Sequence, residues 1–282
     1  LKNNNAKGAF VVGMAENIPE DYTNNYSERG IVSFYGIDEA LQATEIAADI
    51  GIAWKQGLPG PVMQLCATGE DRTTLDEAIA KQDLAACGVP VPAGARVDSV
   101  TAAVELAVRL GYPVVLKALG IAHKTEHDAV RLNLATAEAV KQAATELFRL
   151  GDQLYLEAMK PALLELIVGV TREQQFGLVL TIGSGGVLVE LLQDTKTLLI
   201  PVQADEIEAA VRGLRSAPLL NGYRGKPAAD IEATVAAILA IQEYAISQAS
   251  SLIELDVNPL LIGAEGEGVF AADALIVLDE KK

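Results

Sequence analysis

The chain alternates short apolar runs with stretches in which apolar residues recur every three or four positions. Near the N-terminus, "GAFVVGM" (8–14) predicts a buried strand and "IVSFY" (31–35) a second one. "IDEALQATEIAADIGIAW" (37–54) predicts a helix with Ile37, Leu41, Thr44, Ile46 and Ile50 partly on one face. Strand–loop–strand–helix is a fragment of an α/β layer, too small for a parallel sheet of its own. Residues 55–73, "KQGLPGPVMQLCATGEDRT", hold turn residues without a period and read as a linker.

Beyond the linker, helices and strands mix. Residues 73–88 predict a helix with a Thr cap, acidic residues in its first turn and Gly at its end. "VPVPAGARV" reads as extended because its prolines exclude helix. Residues 99–111 predict a helix and 112–119 a strand. In 129–134 Val130, Leu132 and Leu134 alternate onto one face of a strand, and 136–151 is a helix. "QLYLEAM", "LLELIVGVT", "FGLVLTIG" and "GVLVELL" predict four strands of a meander. Helices follow near 204–214 and 228–248, the second with Ile231, Val235, Ile238 and Leu239 as its stripe. "SLIELDVNPLLIG" and "GVFAADALIVL" close the chain as strands. Adjacent strands at 153–192 imply antiparallel pairing with helices on one side, an α+β layer structure.

Composition narrows the field. The 282 residues suggest about two domains. Cys66 and Cys87 form no framework and no C-x-x-C pattern, so they read as two buried small hydrophobes in a reducing, cytoplasmic setting. No apolar run reaches the ~18 residues of a membrane span, and "LKNNNAKGAF" lacks the apolar core of a signal peptide. Without a starting Met, the chain reads as a trimmed piece of something larger. A net charge of −16 argues against a nucleic-acid partner, and an anionic substrate would need a locally basic pocket.

The chain's two histidines, His123 and His127, lie in "GIAHKTEHDAVRLNL" (120–134). H-x-x-E-H is a zinc-protease pattern, but it needs a helix, and about nine residues between two strands offer a poor one. The remaining readings are a catalytic base or nucleophile, or two solvated loop histidines. Near the C-terminus, Glu254, Asp256 and Asn258 alternate onto one strand face, and Asp273 is flanked by apolar residues. An Asn and an Asp from neighbouring strands are hard oxygen donors that suit Mg²⁺ against nucleotide phosphates; the bland reading is a solvent-facing edge. Lys117 interrupts an apolar strand and needs a partner, either a phosphate oxygen or an internal carboxylate. "TIGSGGVLVE" (181–190) is a Gly-rich turn that would let backbone N–H groups approach an anion.

Taken in order, these motifs carry a resemblance. Residues 73–279 resemble the ATP-grasp domain of the ADP-forming acyl-CoA synthetases, the acetate–CoA ligase and succinyl-CoA synthetase group. The matching stretches are "DEAIAKQDLAACGVPVP", "YPVVLKALGIAHKTEHDAVRLNL", "ELIVGVTREQQFGLVLTIGSGGVLVELLQD", "LLNGYRGKPAAD" and "IELDVNPLL…AADALIVL". Residues 1–58 resemble the tail of that group's flavodoxin-like CoA-ligase domain, with 59–72 as linker and 73–282 as the ATP-grasp domain.

The resemblance implies an acid–thiol ligase component that couples acid + CoA + ATP to acyl-CoA + ADP + phosphate. His123 would carry the phosphoryl group, with Glu190 and Arg224 as further catalytic positions. Lys117 would lie over the nucleotide phosphates, Glu157, Ala158 and Met159 would meet adenine, and Glu165 would contact ATP nearby. Gly185 and Gly186 would face the phosphohistidine, and Asn258 and Asp273 would hold Mg²⁺. A neutral imidazole is available as a nucleophile near pH 7, and phosphoryl transfer demands mainly positioning and charge neutralisation. CoA and the first catalytic His are implied to come with a CoA-ligase domain or subunit upstream or in another chain, and an oligomer is expected. One departure stands out: Asp128 and Ala129 occupy positions where many relatives carry Gly-Gly, which removes φ > 0 freedom from the His123 loop. His127 lies outside the pattern. A non-catalytic nucleotide-sensing module is the alternative implied by related ATP-grasp-like domains.

Overall fold

The computed structural model describes residues 9–14, 18–55, 71–120, 129–186, 194–223 and 225–280. The chain divides into two compact units, Leu1–Pro61 and Val62–Lys282.

In the first unit, β1 (Ala9–Val12) pairs in parallel with β2 (Ile31–Phe34), and α1 (Glu20–Glu28) makes the crossover. The expected plain loop is therefore a helix, and the pair is parallel despite its size. Sequence reading missed α1 because it carries no apolar stripe and buries no residue. The helix α2 (Ile37–Lys55) forms as predicted, but Ile37, Leu41, Ile46 and Ile50 are all exposed, as is Trp54 at 83%. Phe10 and Val12 are exposed as well, so β1 is not the buried strand its apolar run predicts.

The second unit holds two antiparallel sheets. Seven strands make the large one, in the order β10 (Thr195–Leu199), β9 (Gly177–Ser184), β8 (Leu164–Glu173), β11 (Leu252–Ile262), β13 (Ala274–Asp279) and β3 (Arg72–Thr74), with β12 (Val269–Ala271) also on β11. The smaller sheet runs β4 (Gly94–Val97), β7 (Leu154–Ala158), β5 (Val114–Ala118) and β6 (Val130–Leu134). The predicted meander is thus split. "QLYLEAM" belongs to the small sheet, the next two runs pair with each other in the large one, and "GVLVELL" lies mostly outside the described residues. Thr195–Leu199, too polar to read as a strand, supplies the edge beside β9.

Two apolar cores follow from the two sheets. The small sheet packs Leu116, Leu154 and Leu156 against α4 (Val100–Leu110) and α5 (Ala137–Leu147). Ser99 and Thr136 cap these helices by accepting hydrogen bonds from Ala102 N and Ala139 N. The large sheet packs Leu166, Leu180, Leu255 and Ile276 against α3 (Glu77–Ala86), α6 (Ala204–Arg212) and α7 (Ile231–Ser247). The buried face of α7 is Thr234, Ala237, Ile238, Ile241, Gln242, Tyr244 and Ala245, so the predicted stripe is rotated: Ile231, Val235 and Leu239 lie on its flanks.

Three further expectations are corrected. The cap of α3 is Asp76, not a threonine; Thr73 and Thr74 belong to β3. Cys87 is exposed rather than buried, and Cys66 lies outside the described residues. In β6, Leu132 is exposed because the register shifts and Asn133 takes φ 56, which breaks the alternation after Val130.

Candidate functional site

The two sheets of the second unit meet through four buried charges. Strand β5 carries Lys117 among Val115, Leu116 and Ala118, all buried. Its ammonium reaches Glu77 Oε1 of α3 and Glu157 Oε1 of β7, each at 2.9 Å, and donates to the Ala272 carbonyl at 2.6 Å. Lys81, one turn after Glu77, lies 3.2 Å from Glu77 Oε1 and 2.5 Å from Glu157 Oε2. Lys81, Glu77, Lys117 and Glu157 therefore form a closed ring of alternating sign. Of the two partners that the sequence leaves open for Lys117, the structure supplies the internal carboxylates. Burial pushes the Lys117 ammonium down, but Glu77, Glu157 and Asp273 outweigh it and hold its pKa above the ordinary lysine range. For Lys81, burial and the Lys117 charge win, and its pKa falls below that range.

Glycine shapes this junction once. A Cβ at Gly94 of β4 would lie 2.7 Å from Glu157 Cβ and from Leu156 O, so a bare backbone lets β4 close on β7. At the end of β7, Ala158 N donates to Ala93 O and Met159 N to Pro113 O. Contact between the Met159 N–H and a base would compete with Pro113.

The large sheet presents the acids. Val257 pairs with Ala274, and Ala272 N donates to Pro259 O, so Asn258 and Asp273 occupy opposed positions on β11 and at the start of β13. Asn258 is exposed and Asp273 half-buried; Asp273 Oδ1 accepts from Ala274 N at 2.8 Å. Beside them, burial, Glu254 and Asp273 push the Asp256 carboxyl up to about 6. Two hard oxygen donors in a locally anionic face suit a divalent cation that phosphate oxygens would complete. Among the described residues, no three His, Cys, Asp or Glu side chains converge as a metal site on their own.

The Gly-rich turn sits against Glu165. Gly185 N donates to Glu165 O at 2.7 Å, a Cβ on Gly185 would lie 2.8 Å from that backbone, and Gly186 takes φ +82. A buried carboxylate pins the turn from behind: Asp194 accepts from Ser184 Oγ at 2.6 Å and from Arg215 N at 2.7 Å. Arg215 precedes "LLNGYRG", in which Gly222 at φ +83 packs against Lys226 O. The structure thus brings Lys117 to Glu157 and, through Ala272, to the Asn258–Asp273 pair; Glu165, Gly185 and Gly186 form a second group. His123, Glu190 and Arg224 lie outside the described residues, as do His127 and Asp128.

Residues 66–278 match the family model of the ATP-grasp domain. The chain belongs to the ATP-grasp family. It is 32% identical to the beta subunit of ADP-forming acetate–CoA ligase II from Pyrococcus furiosus, across 74% of this chain and 93% of that protein. It is also 32% identical to trans-feruloyl-CoA synthase FCS1 from an unknown prokaryotic organism, across 97% of this chain but only 40% of that longer protein. A solved structure of dinucleotide-forming acetyl-coenzyme A synthetase 1 from Ca. Korarchaeum cryptofilum superposes with a TM-score of 0.64 at 31% identity, covering 73% of this chain and 92% of that one. That structure holds coenzyme A and Mg-AMPPCP, with a phosphohistidine segment pointing towards the nucleotide binding site.

In this ATP-grasp domain, sequence reading missed Glu77 and Lys81. A signal for them exists: 77, 80, 81 and 84 share one helix face, and Ala80 and Leu84 are fully buried. A Glu and a Lys on an otherwise apolar stripe mark a buried ion pair.

Proposed function

We propose that the chain is the nucleotide-binding, phosphoryl-transferring component of an ADP-forming acyl-CoA synthetase, with His123 as the carrier. One observation carries this reading: the Lys117 strand, just upstream of His123, is bonded to the Ala272 carbonyl beside the opposed Asn258–Asp273 pair on an ATP-grasp scaffold. The names of its relatives agree, since they include ADP-forming acetate–CoA ligase beta subunits.

On this reading the face that carries Lys117 and the Asn258–Asp273 pair takes ATP. Asn258 and Asp273 supply oxygen donors to Mg²⁺, which when bound neutralises phosphate charge. The backbone at Glu157 to Met159 meets the base while the Glu157 carboxylate stays in the ring, Glu165 contacts ATP nearby, Gly185 and Gly186 offer close backbone approach, and Glu190 and Arg224 serve at the carrier. A ring nitrogen of His123 bonds to the transferred phosphorus as the bond to the ADP oxygen breaks; the same steps reversed make ATP. The phosphoryl group passes to a CoA-ligase partner that carries CoA and the first catalytic His. The exposed apolar side chains of Phe10, Val12, Ile37, Leu41, Ile46, Ile50 and Trp54 support the assignment of residues 1–58 to such an α/β domain, as does the match of 97% of this chain within the longer FCS1. No helix among the described residues is long and apolar enough to cross a membrane.

The test is labelling with γ-labelled ATP, with the CoA-ligase half supplied. Wild type is expected to take up base-stable, acid-labile label, and His123→Ala to lose it together with the overall reaction. Binding of Mg·ATP without label would favour a sensing module. Near-normal turnover by His123→Ala would sink the carrier role.

A further inference from the structure

The charge ring includes a residue that the proposed reaction does not touch. Glu77, Lys81 and Glu157 keep only 1–2% of their side-chain surface, while Lys117 keeps 6%. Lys117 is therefore the most exposed member, and Lys81 lies across the Glu77 and Glu157 carboxylates from it. Without Lys81 the cluster would hold two carboxylates against one ammonium, a buried net negative charge. Asp273 beside it is also acidic, Asp273 in turn lies by Asp256, and the whole chain carries −16. A polyphosphate approaching that face would meet repulsion in a poorly screened setting. Lys81 brings the ring to neutrality and holds the Glu157 carboxylate from the far side, so that Lys117 can keep its place between Glu77, Glu157 and the Ala272 carbonyl. The Tyr155 ring lies 5.1 Å from its ammonium.

We propose that Lys81 is a positioning residue of the nucleotide site. It contacts no nucleotide; it cancels the surplus carboxylate charge behind Lys117 and so permits a polyanion to bind in front of it. This inference rests on the nucleotide-binding reading given above.

The test is calorimetric titration of the full chain with Mg·ATP, alongside thermal melting of each variant. Lys81→Met is expected to raise Kd about tenfold or more. Glu77→Gln alone leaves the ring with surplus positive charge but takes a carboxylate partner from Lys117, and it is the reference from which the double variant is read. The double variant Lys81→Met/Glu77→Gln restores neutrality, and its Kd is expected to return to within about threefold of wild type. A purely packing role for Lys81 predicts the opposite, a double variant at least as weak as Lys81→Met. That outcome overturns the proposal, and so does unchanged Kd in folded Lys81→Met. If Lys81→Met does not fold, Glu77→Gln and the double variant still decide. Failure of wild type to bind Mg·ATP is distinguishable, because it removes the nucleotide reading itself and this inference with it.

Discussion

Two helices of similar apolar content meet opposite fates. Both α2 and α7 are rich in Ile and Ala, and both repeat apolar residues at helical spacing. In α7 that pattern is buried: Ile238 and Ile241 are fully enclosed between the large sheet and its neighbours. In α2 it is open, with Ile37 at 69% exposure and Ala40 as the one buried position among its described side chains. A periodic stripe specifies that a helix forms and which face wants cover; whether cover exists depends on strands distant in sequence. The large sheet gives α7 seven strands, whereas the first unit gives α2 a two-stranded parallel pair, and parallel sheets are stable when covered on both faces.

The contrast can be broken by substitution. Ile241→Ala should cost about 2–4 kcal/mol of unfolding free energy in urea, because it opens a cavity in an enclosed core. A loss below about 1 kcal/mol would mean that α7 is as loosely held as α2.

Asp256 sharpens the polar side of the same contrast, since its carboxyl is raised to about 6 within the large sheet. A raised carboxyl pKa means that the folded state binds the proton more tightly than the unfolded chain, so stability falls as pH rises from about 4 to about 6. Asp256→Asn should remove that slope and gain about 1–2 kcal/mol at pH 7, less than the full shift because the half-buried group is partly screened. Equal urea midpoints for wild type and variant at pH 7 would refute the burial of charge there.

The smallest effect belongs to α2. Ile46→Ser should change the unfolding free energy of the chain by less than about 0.5 kcal/mol while lowering binding of an apolar dye. A destabilisation matching that of Ile241→Ala would show that α2 is covered after all.

Much of the site was legible as a set of oddities. Lys117 stood out as a charge on an apolar strand, and Asn258 and Asp273 as polar groups between apolar neighbours. Their meeting was not legible, because 155 residues separate Lys117 from the Ala272 carbonyl that it binds. Lys81 and Glu77 were overlooked because a Glu–Lys pair four apart on a helix is the commonest sign of a solvated face. The strand Thr195–Leu199 hid for the opposite reason, since its edge position leaves its residues mostly exposed and its alternation weak.

By itself the sequence determined where α2 to α7 and most strands lie, the antiparallel α+β character of residues 73–279, and the order of motifs that relates the chain to ATP-grasp proteins. These depend on local periodicity and on residue type at fixed spacing, which survive without knowledge of partners. Only the tertiary structure decided that β7 leaves the meander for the small sheet, that α2 stays uncovered, and that Lys117 is balanced by Glu77, Glu157 and, behind them, Lys81. Each of those depends on which distant surface closes on which, and burial sets the energy of a charge or an apolar face only after that closure has occurred.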